Sequence, residues 1–333
     1  MRISRIMATV GVAVGLAVSI AAQQPAPAAP AGAAQAPGAA GAPAGGGGRR
    51  GGGGGGGAQA ANPNAVRVYI WAGTKTHPLG LHDYPQLLAD WSKNQGEGLM
   101  MRGAIVNGSL HPPSAAELAN VDVIVMYKGD AEVTMTPQEH QDLEAFIKRG
   151  GGFVAFHDSI CVADTEWWAN TVTGGAKKHG ESNFSAGLLK TKIVDTAHPI
   201  MAGMKDYDTQ DEAFMKMTWA KTGVHQLATV PLPGGPQKDE VHPQIWTYEH
   251  TLAGGQPARA FVWMQGHDYK NFSDPAIYGM LQRGIAWAAK KPLDSLTTVR
   301  AAQGGRGVGG SDIVVPEGGA PAGGRGGRGA GNQ

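Results

Sequence analysis

The sequence predicts an α/β fold with one doubly wound, mostly parallel sheet and flanking helices. Three observations predict it. Between residues 65 and 292, β-rich apolar runs alternate with helical patterns, the order expected of a parallel sheet with crossover helices. One run, Val121 to Tyr127, is almost continuously apolar, the mark of a strand covered on both faces. Two segments, Thr136-Pro137-Gln138-Glu139 and Asp274-Pro275, pair an N-cap residue with proline at the first helical position.

In chain order, Val66 to Trp71 opens the sheet and His82 to Asn94 follows as a helix. Leu99 to Val106 is the second strand, and Ser114-Ala115-Ala116-Glu117 has capping-box spacing for a short helix. After the Val121 strand, the helix starting at Pro137 repeats Leu143, Phe146 and Ile147 at helical spacing. Gly150-Gly151-Gly152 stops it, and Phe153 to Phe156 forms a strand that ends on His157. The second half is less regular, with strand-like runs at Leu188 to Val194, Gln226 to Val230, Gln244 to Tyr248 and Arg259 to Met264. The last helix carries Ile277, Met280, Leu281 and Ile285 as a packing stripe. No repeat is visible, so residues 65–292 read as one domain.

The flanks have a different composition. Residues 1–22 join a basic start, an apolar run from Met7 and a small-residue exit at Ser19-Ile20-Ala21-Ala22, the pattern of a Sec-type signal peptide. The apolar run is short for a span of about 20 residues, so no stable membrane insertion is expected after cleavage, and the expected location is periplasmic or secreted. Residues 23–64 are Ala/Pro/Gly-rich and residues 293–333 are Gly/Arg-rich. Both have too few apolar side chains to offset ordering entropy and are expected to be disordered. Arg325 and Arg328 among glycines read as a solvated spacer, and the net charge of +1 offers no electrostatic case for nucleic acid. Cys161 is the single cysteine, so a disulfide within the chain is excluded and any metal must use His and carboxylate ligands.

Open α/β sheets bind ligands beyond the carboxyl ends of their strands. Histidines gather there: His77 and His82 follow the first strand, His157 the fourth, and His267 the last. Such a set suits a divalent metal such as zinc, manganese or iron, or side chains that only hydrogen-bond a ligand. His179 and the pair Asp211-Glu212 are further candidates that pattern alone does not place. HExxH spacing and a phosphate-binding glycine loop are both missing, which argues against a zincin and against a nucleotide cofactor. Trp167, Trp168 and Trp246 suit either sugar stacking or the core.

Taken in order, several segments carry a resemblance. They are Lys75-Thr76-His77-Pro78 with Gly80-Leu81-His82-Asp83-Tyr84, Gly150 to His157, Gly174-Gly175 with His179, Ala197-His198-Pro199-Ile200, Asp211-Glu212, His242 to Thr247, and Gly266-His267-Asp268. Together they resemble the trehalose-utilisation, or ThuA-like, family, with its class I glutamine amidotransferase-like, flavodoxin-like fold. The resemblance implies a small-molecule carbohydrate as partner and a metal-assisted hydrolase or isomerase, or else a non-catalytic carbohydrate-binding module. With the strand-end histidines it suggests His77, His82, His157 and His267 as metal ligands. His157, Glu212 and Asp211 are then the catalytic candidates, and His179, Trp246 and Asp268 the substrate contacts. Amidotransferases carry a cysteine nucleophile at the turn where this chain has His157, so glutaminase chemistry is not expected. Gln244-Ile245 stand where relatives usually have Val-Ala, a departure expected to alter substrate contacts.

Overall fold

The computed structural model describes residues 65–92, 103–130, 134–178 and 183–296. The signal peptide, the 23–64 linker, the tail beyond residue 296, His179, and the start of the Leu99–Val106 run lie outside the described residues.

The first half builds strands and helices alternately: β1 (Val66–Ala72), α1 (Tyr84–Ser92), β2 (Ala104–Ser109), α2 (Ala115–Leu118), β3 (Val123–Tyr127), α3 (Pro137–Lys148) and β4 (Gly152–Phe156). Both expected capping boxes are present, Ser114 with Glu117 and Thr136 with Glu139. Then come β5 (Cys161–Val162), α4 (Thr165–Trp168), β6 (Gly175–Lys178), β7 (Phe184–Ile193), β8 (Tyr207–Phe214) and β9 (Thr218–Trp219). The chain finishes with β10 (Val224–Pro231), β11 (Val241–His250), β12 (Ala258–Trp263) and α5 (Pro275–Ala288).

Nine strands form one sheet in the order β2-β1-β3-β4-β12-β11-β10-β7-β8. From β2 to β12 every pairing is parallel, and this half has the 2-1-3-4-5 order of the flavodoxin-like doubly wound sheets. From β12 to β8 every pairing is antiparallel. For β10, β11 and β12 the change follows from connection length. A parallel neighbour needs a crossover of a dozen or more residues, whereas the links 232–240 and 251–257 hold only tight turns.

Alternation along the strands divides the core between two faces. Val68, Ile70, Val125, Tyr127, Val154 and Phe156 pack with α1 and α5 on one side. Tyr69, Trp71, Ile124, Met126, Phe153 and Ala155 pack with α3 and α4 on the other. Order continues past the expected domain end at Pro292. Leu296 is 1% exposed and belongs to the first cluster, so the apolar side chains Leu293 and Leu296 dock instead of joining the tail.

Candidate metal centre

The loop after β1 carries His82 and is tied to itself. Lys75 donates to the carbonyl oxygens of Pro78 and Leu81 and pairs with Asp83, while Gly80 N–H donates to Asp83 Oδ2 at 2.7 Å. The same loop is clamped to the loop after β12: His82 N–H donates to His267 O at 3.0 Å, and Tyr269 N–H to Gly80 O at 2.8 Å. His157 follows β4 directly. Both His82 (φ 48°) and His157 (φ 49°) adopt left-handed backbone, which non-glycine residues enter at a cost and which often marks a functional turn.

These turns bring three ring nitrogens together. His82 Nε2 lies 3.0 Å from His157 Nε2 and 2.9 Å from His267 Nδ1, and the three donor atoms lie within 4.8 Å of one another. His157 Nδ1 is 3.0 Å from Met264 O. A carbonyl only accepts, so this nitrogen carries the proton and Nε2 presents a lone pair to His82. With neutral rings, His82 Nε2 has one proton or none, and it faces two nitrogens. At most one of the two short contacts is then an unshared hydrogen bond, and a cation among the three resolves the other. The donor set therefore fits a divalent metal taken up by neutral imidazoles.

Burial favours the neutral form of His82 and His267. It pushes His82 down to about 3, reinforced by His157 and opposed by Asp158, and it pushes His267 down to about 4, reinforced by His157 and His77.

Two carboxylates flank the nitrogens in different settings. Asp158 lies 3.4 Å from His82 Nε2 and 3.7 Å from His157 Nε2. Each of its oxygens has a donor, Tyr84 Oη at 3.1 Å and Cys161 Sγ at 3.2 Å. Burial opposes its charge, yet the imidazoles of His157 and His82 and the Cys161 thiol hold it well below the usual carboxylate range. Glu212 lies 3.6 Å from His267 Nδ1 and 3.8 Å from His157 Nε2. Burial pushes its carboxyl up. Of the pair, Asp158 is the fixed anion and Glu212 the one placed to take a proton.

Glu212 comes from β8, the last strand of the sheet, because that strand is docked back onto the middle. Gln244 of β11 is fully buried; its Nε2 donates to Phe214 O at 2.9 Å and its Oε1 accepts from Phe214 N–H at 3.2 Å. Asp211 accepts from Gly266 N–H at 2.9 Å, His267 N–H at 3.2 Å and Asn271 Nδ2 at 2.6 Å.

The trehalose-utilisation family profile, ThuA, matches residues 103–288, more than half of the chain. The chain belongs to the ThuA family. A ThuA-like protein of Bacteroides uniformis shares the fold at TM-score 0.51 with 16% identity, over 67% of this chain and 91% of that one. A ThuA-like protein of Parabacteroides merdae aligns at TM-score 0.48 with 18% identity, over 67% and 90%. A glutamine amidotransferase of Thermotoga maritima aligns at TM-score 0.35 with 13% identity, over 68% and 89%. No match is found among curated proteins.

Within this ThuA fold, the residues singled out in the sequence separate. His82, His157, His267 and Glu212 converge. His77 stays exposed at the rim, its ring centroid 3.9 Å from that of His82 and 5.5 Å from that of His267, outside the set of three nitrogens. Asp211 stands apart from them: four donors, including Glu212 N–H at 2.7 Å, occupy its oxygens, so it braces the His267 loop. Trp246 lies away from the centre's surface. It is fully buried and donates Nε1–H to Thr173 O at 2.8 Å, so its ring is core and presents no face to a sugar. Asp268 caps Lys270 N–H at 3.2 Å and pairs with Lys270 Nζ at 2.5 Å, which makes it a turn residue. Gln244 is likewise fully buried, with its amide taken up by the Phe214 backbone. Sequence reasoning missed Asp158, although its place directly after His157 at a strand end was a usable signal.

Proposed function

We propose that this ThuA-family protein is a metal-dependent enzyme of carbohydrate utilisation, exported from the cytoplasm, that hydrolyses or isomerises a sugar derivative. The observation that carries the reading is the meeting of His82 Nε2, His157 Nε2 and His267 Nδ1, delivered by three separate strand ends, at 3.0 and 2.9 Å.

In this reading the three imidazoles hold a divalent cation, with zinc the first candidate for a nitrogen and oxygen donor set. When bound, such a cation polarises a carbonyl or makes water more acidic. The protein does the rest. Met264 O fixes the tautomer of His157, and Asp158 supplies a permanent negative charge beside His82. Glu212 Oε2 accepts a proton from water or from a sugar hydroxyl and returns it to the leaving oxygen. The description of the family as trehalose utilisation supports a disaccharide or keto-sugar as substrate.

The test is elemental analysis of the full chain, wild type beside His157→Ala and His267→Ala, followed by turnover of disaccharides and keto-sugars with and without chelator. About one metal per chain in wild type, lost in both variants, and chelator-sensitive turnover support the reading. Sugar binding without metal or turnover replaces it with a carbohydrate-binding module. N-terminal sequencing of the secreted protein tests export, with a start near Gln23 expected.

A further inference from the structure

Strand β7 pairs with β8, the strand that supplies Glu212, and the register sets what β7 presents beside the centre. Phe184 pairs with Phe214, Ala186 with Glu212 and Leu188 with Gln210. Paired residues point to the same side of a sheet, and steps of two along a strand stay on that side. Phe184, Ala186 and Leu188 therefore form a strip on the face that carries Glu212. Phe214 marks this as the face of the histidines: its ring stacks on that of His157, with centroids 4.9 Å apart and planes inclined by 29°.

The strip is open and apolar. Phe184 is 49% exposed and Leu188 is 52% exposed, with Ala186 exposed between them. Core packing does not account for these side chains, because the opposite face of β7 does that work: Leu189 packs there with Ala213, Met215 and Val230. A strand with one buried face ordinarily turns polar residues to water on the other, as Lys190 and Lys192 do further along β7. The ring of Phe184 also has an ordered neighbour. Lys177, 3% exposed, donates from Nζ to Asn183 Oδ1 at 3.0 Å and sits over both aromatic rings, 4.0 Å from the Phe214 centroid and 5.9 Å from that of Phe184.

We propose that this strip receives an apolar aglycone, so that the substrate class is an aryl or alkyl glycoside whose sugar reaches Glu212 and the three histidines. The inference rests on the sugar-derivative reading above and names the other half of the substrate. Hydroxyls find their partners at the centre and along β8, whereas the side chains of the strip offer only carbon. Ala186, directly across from Glu212, leaves room where the sugar meets the aglycone. Phe184 then determines specificity, through ring contact and apolar area removed from water, and takes no part in the chemistry.

Calorimetric titration of the full chain with phenyl glucoside and methyl glucoside, each in both anomers, tests it on wild type, Phe184→Ala, Phe184→Tyr and Leu188→Ser. Both substituted positions are about half exposed and lie outside the core clusters, so circular dichroism is expected to be unchanged. Wild type is expected to bind a phenyl glucoside about tenfold more tightly than the matching methyl glucoside. That preference should vanish in Phe184→Ala and shrink in Leu188→Ser, with methyl glucoside affinity unchanged in both, and Phe184→Tyr should keep most of it. Equal affinity for the two glucosides in wild type, or a preference that survives Phe184→Ala, overturns the aglycone site and leaves the sugar reading intact. Failure of every glucoside to bind wild type overturns both. A wild-type dimer in sedimentation that Phe184→Ala dissociates overturns the proposal in favour of a contact between copies.

Discussion

His157 donates its Nδ1 proton to the backbone carbonyl of Met264 across 3.0 Å, and this one bond orients the centre. It joins the end of β4 to the end of β12, and in the neutral ring it leaves the opposite nitrogen facing His82 as a lone pair. Replacing His157 by alanine removes a proposed ligand and takes the hydrogen bond from the Met264 carbonyl. The expected loss of metal affinity exceeds the roughly 10- to 100-fold typical of changes to groups that only support a ligand. Competition titration with a chromophoric chelator measures it. In wild type, zinc at about 100 times its dissociation constant should stabilise the fold by about 2.7 kcal/mol, and that gain should vanish in the variant.

Asp158→Asn keeps the shape and removes the charge beside His82 and His157. Metal affinity should fall about 10- to 100-fold, with far-ultraviolet circular dichroism unchanged. Equal affinity in the two proteins would show that Asp158 serves only the Tyr84 and Cys161 contacts.

The metal-free protein should lose stability as pH falls from 7 towards 4. The folded state holds His82 and His267 neutral, with values lowered to about 3 and about 4. In the unfolded chain the same rings take protons near 6.5. The unfolded state therefore binds more protons across that window, and the balance shifts towards it as acid is added. Urea melts at stepped pH check the sign, and His82→Gln should flatten the slope.

Gln244→Val tests whether the centre depends on the docking of β8. The substitution removes two hydrogen bonds and leaves the Phe214 N–H and C=O buried without partners, a cost of about 1–3 kcal/mol for each group. Stability should fall, and Glu212-dependent turnover should fall further than metal content does. Trp246→Phe is the control for the aromatic reassigned to the core. It should lower stability by about 1–3 kcal/mol through the orphaned Thr173 carbonyl while leaving sugar affinity unchanged.

Gly284→Ala sets two effects against each other. In a helix interior alanine is favoured over glycine by about 1 kcal/mol, but a Cβ at Gly284 would sit 2.2 Å from Phe261 Cδ1. Phe261 is fully buried in the central sheet, where overpacking costs about 1–3 kcal/mol or more. The clash should win, with a lowered midpoint in thermal unfolding.

Local chemistry was enough to read much of this protein from its residues. Thr136 with Pro137 and Glu139, and Asp274 with Pro275, announce their helices because capping is satisfied within a few residues. Continuous apolar runs announce the buried parallel strands β1, β3, β4 and β12, and with them the strand ends that carry His82, His157 and His267. Tertiary structure alone decided the remainder. Strand β8 reads Tyr-Asp-Thr-Gln-Asp-Glu-Ala-Phe, too polar to show a strand signal, because it lies at the sheet edge, its Phe214 backbone is held by Gln244, and its Asp211 carboxylate is held by Gly266 and Asn271 from far along the chain. The different surroundings of His77, Asp211, Glu212 and Asp158 were decided in the same way. A side chain's role in a site depends on which donors and charges surround it in space, and those arrive from residues tens to more than a hundred positions away.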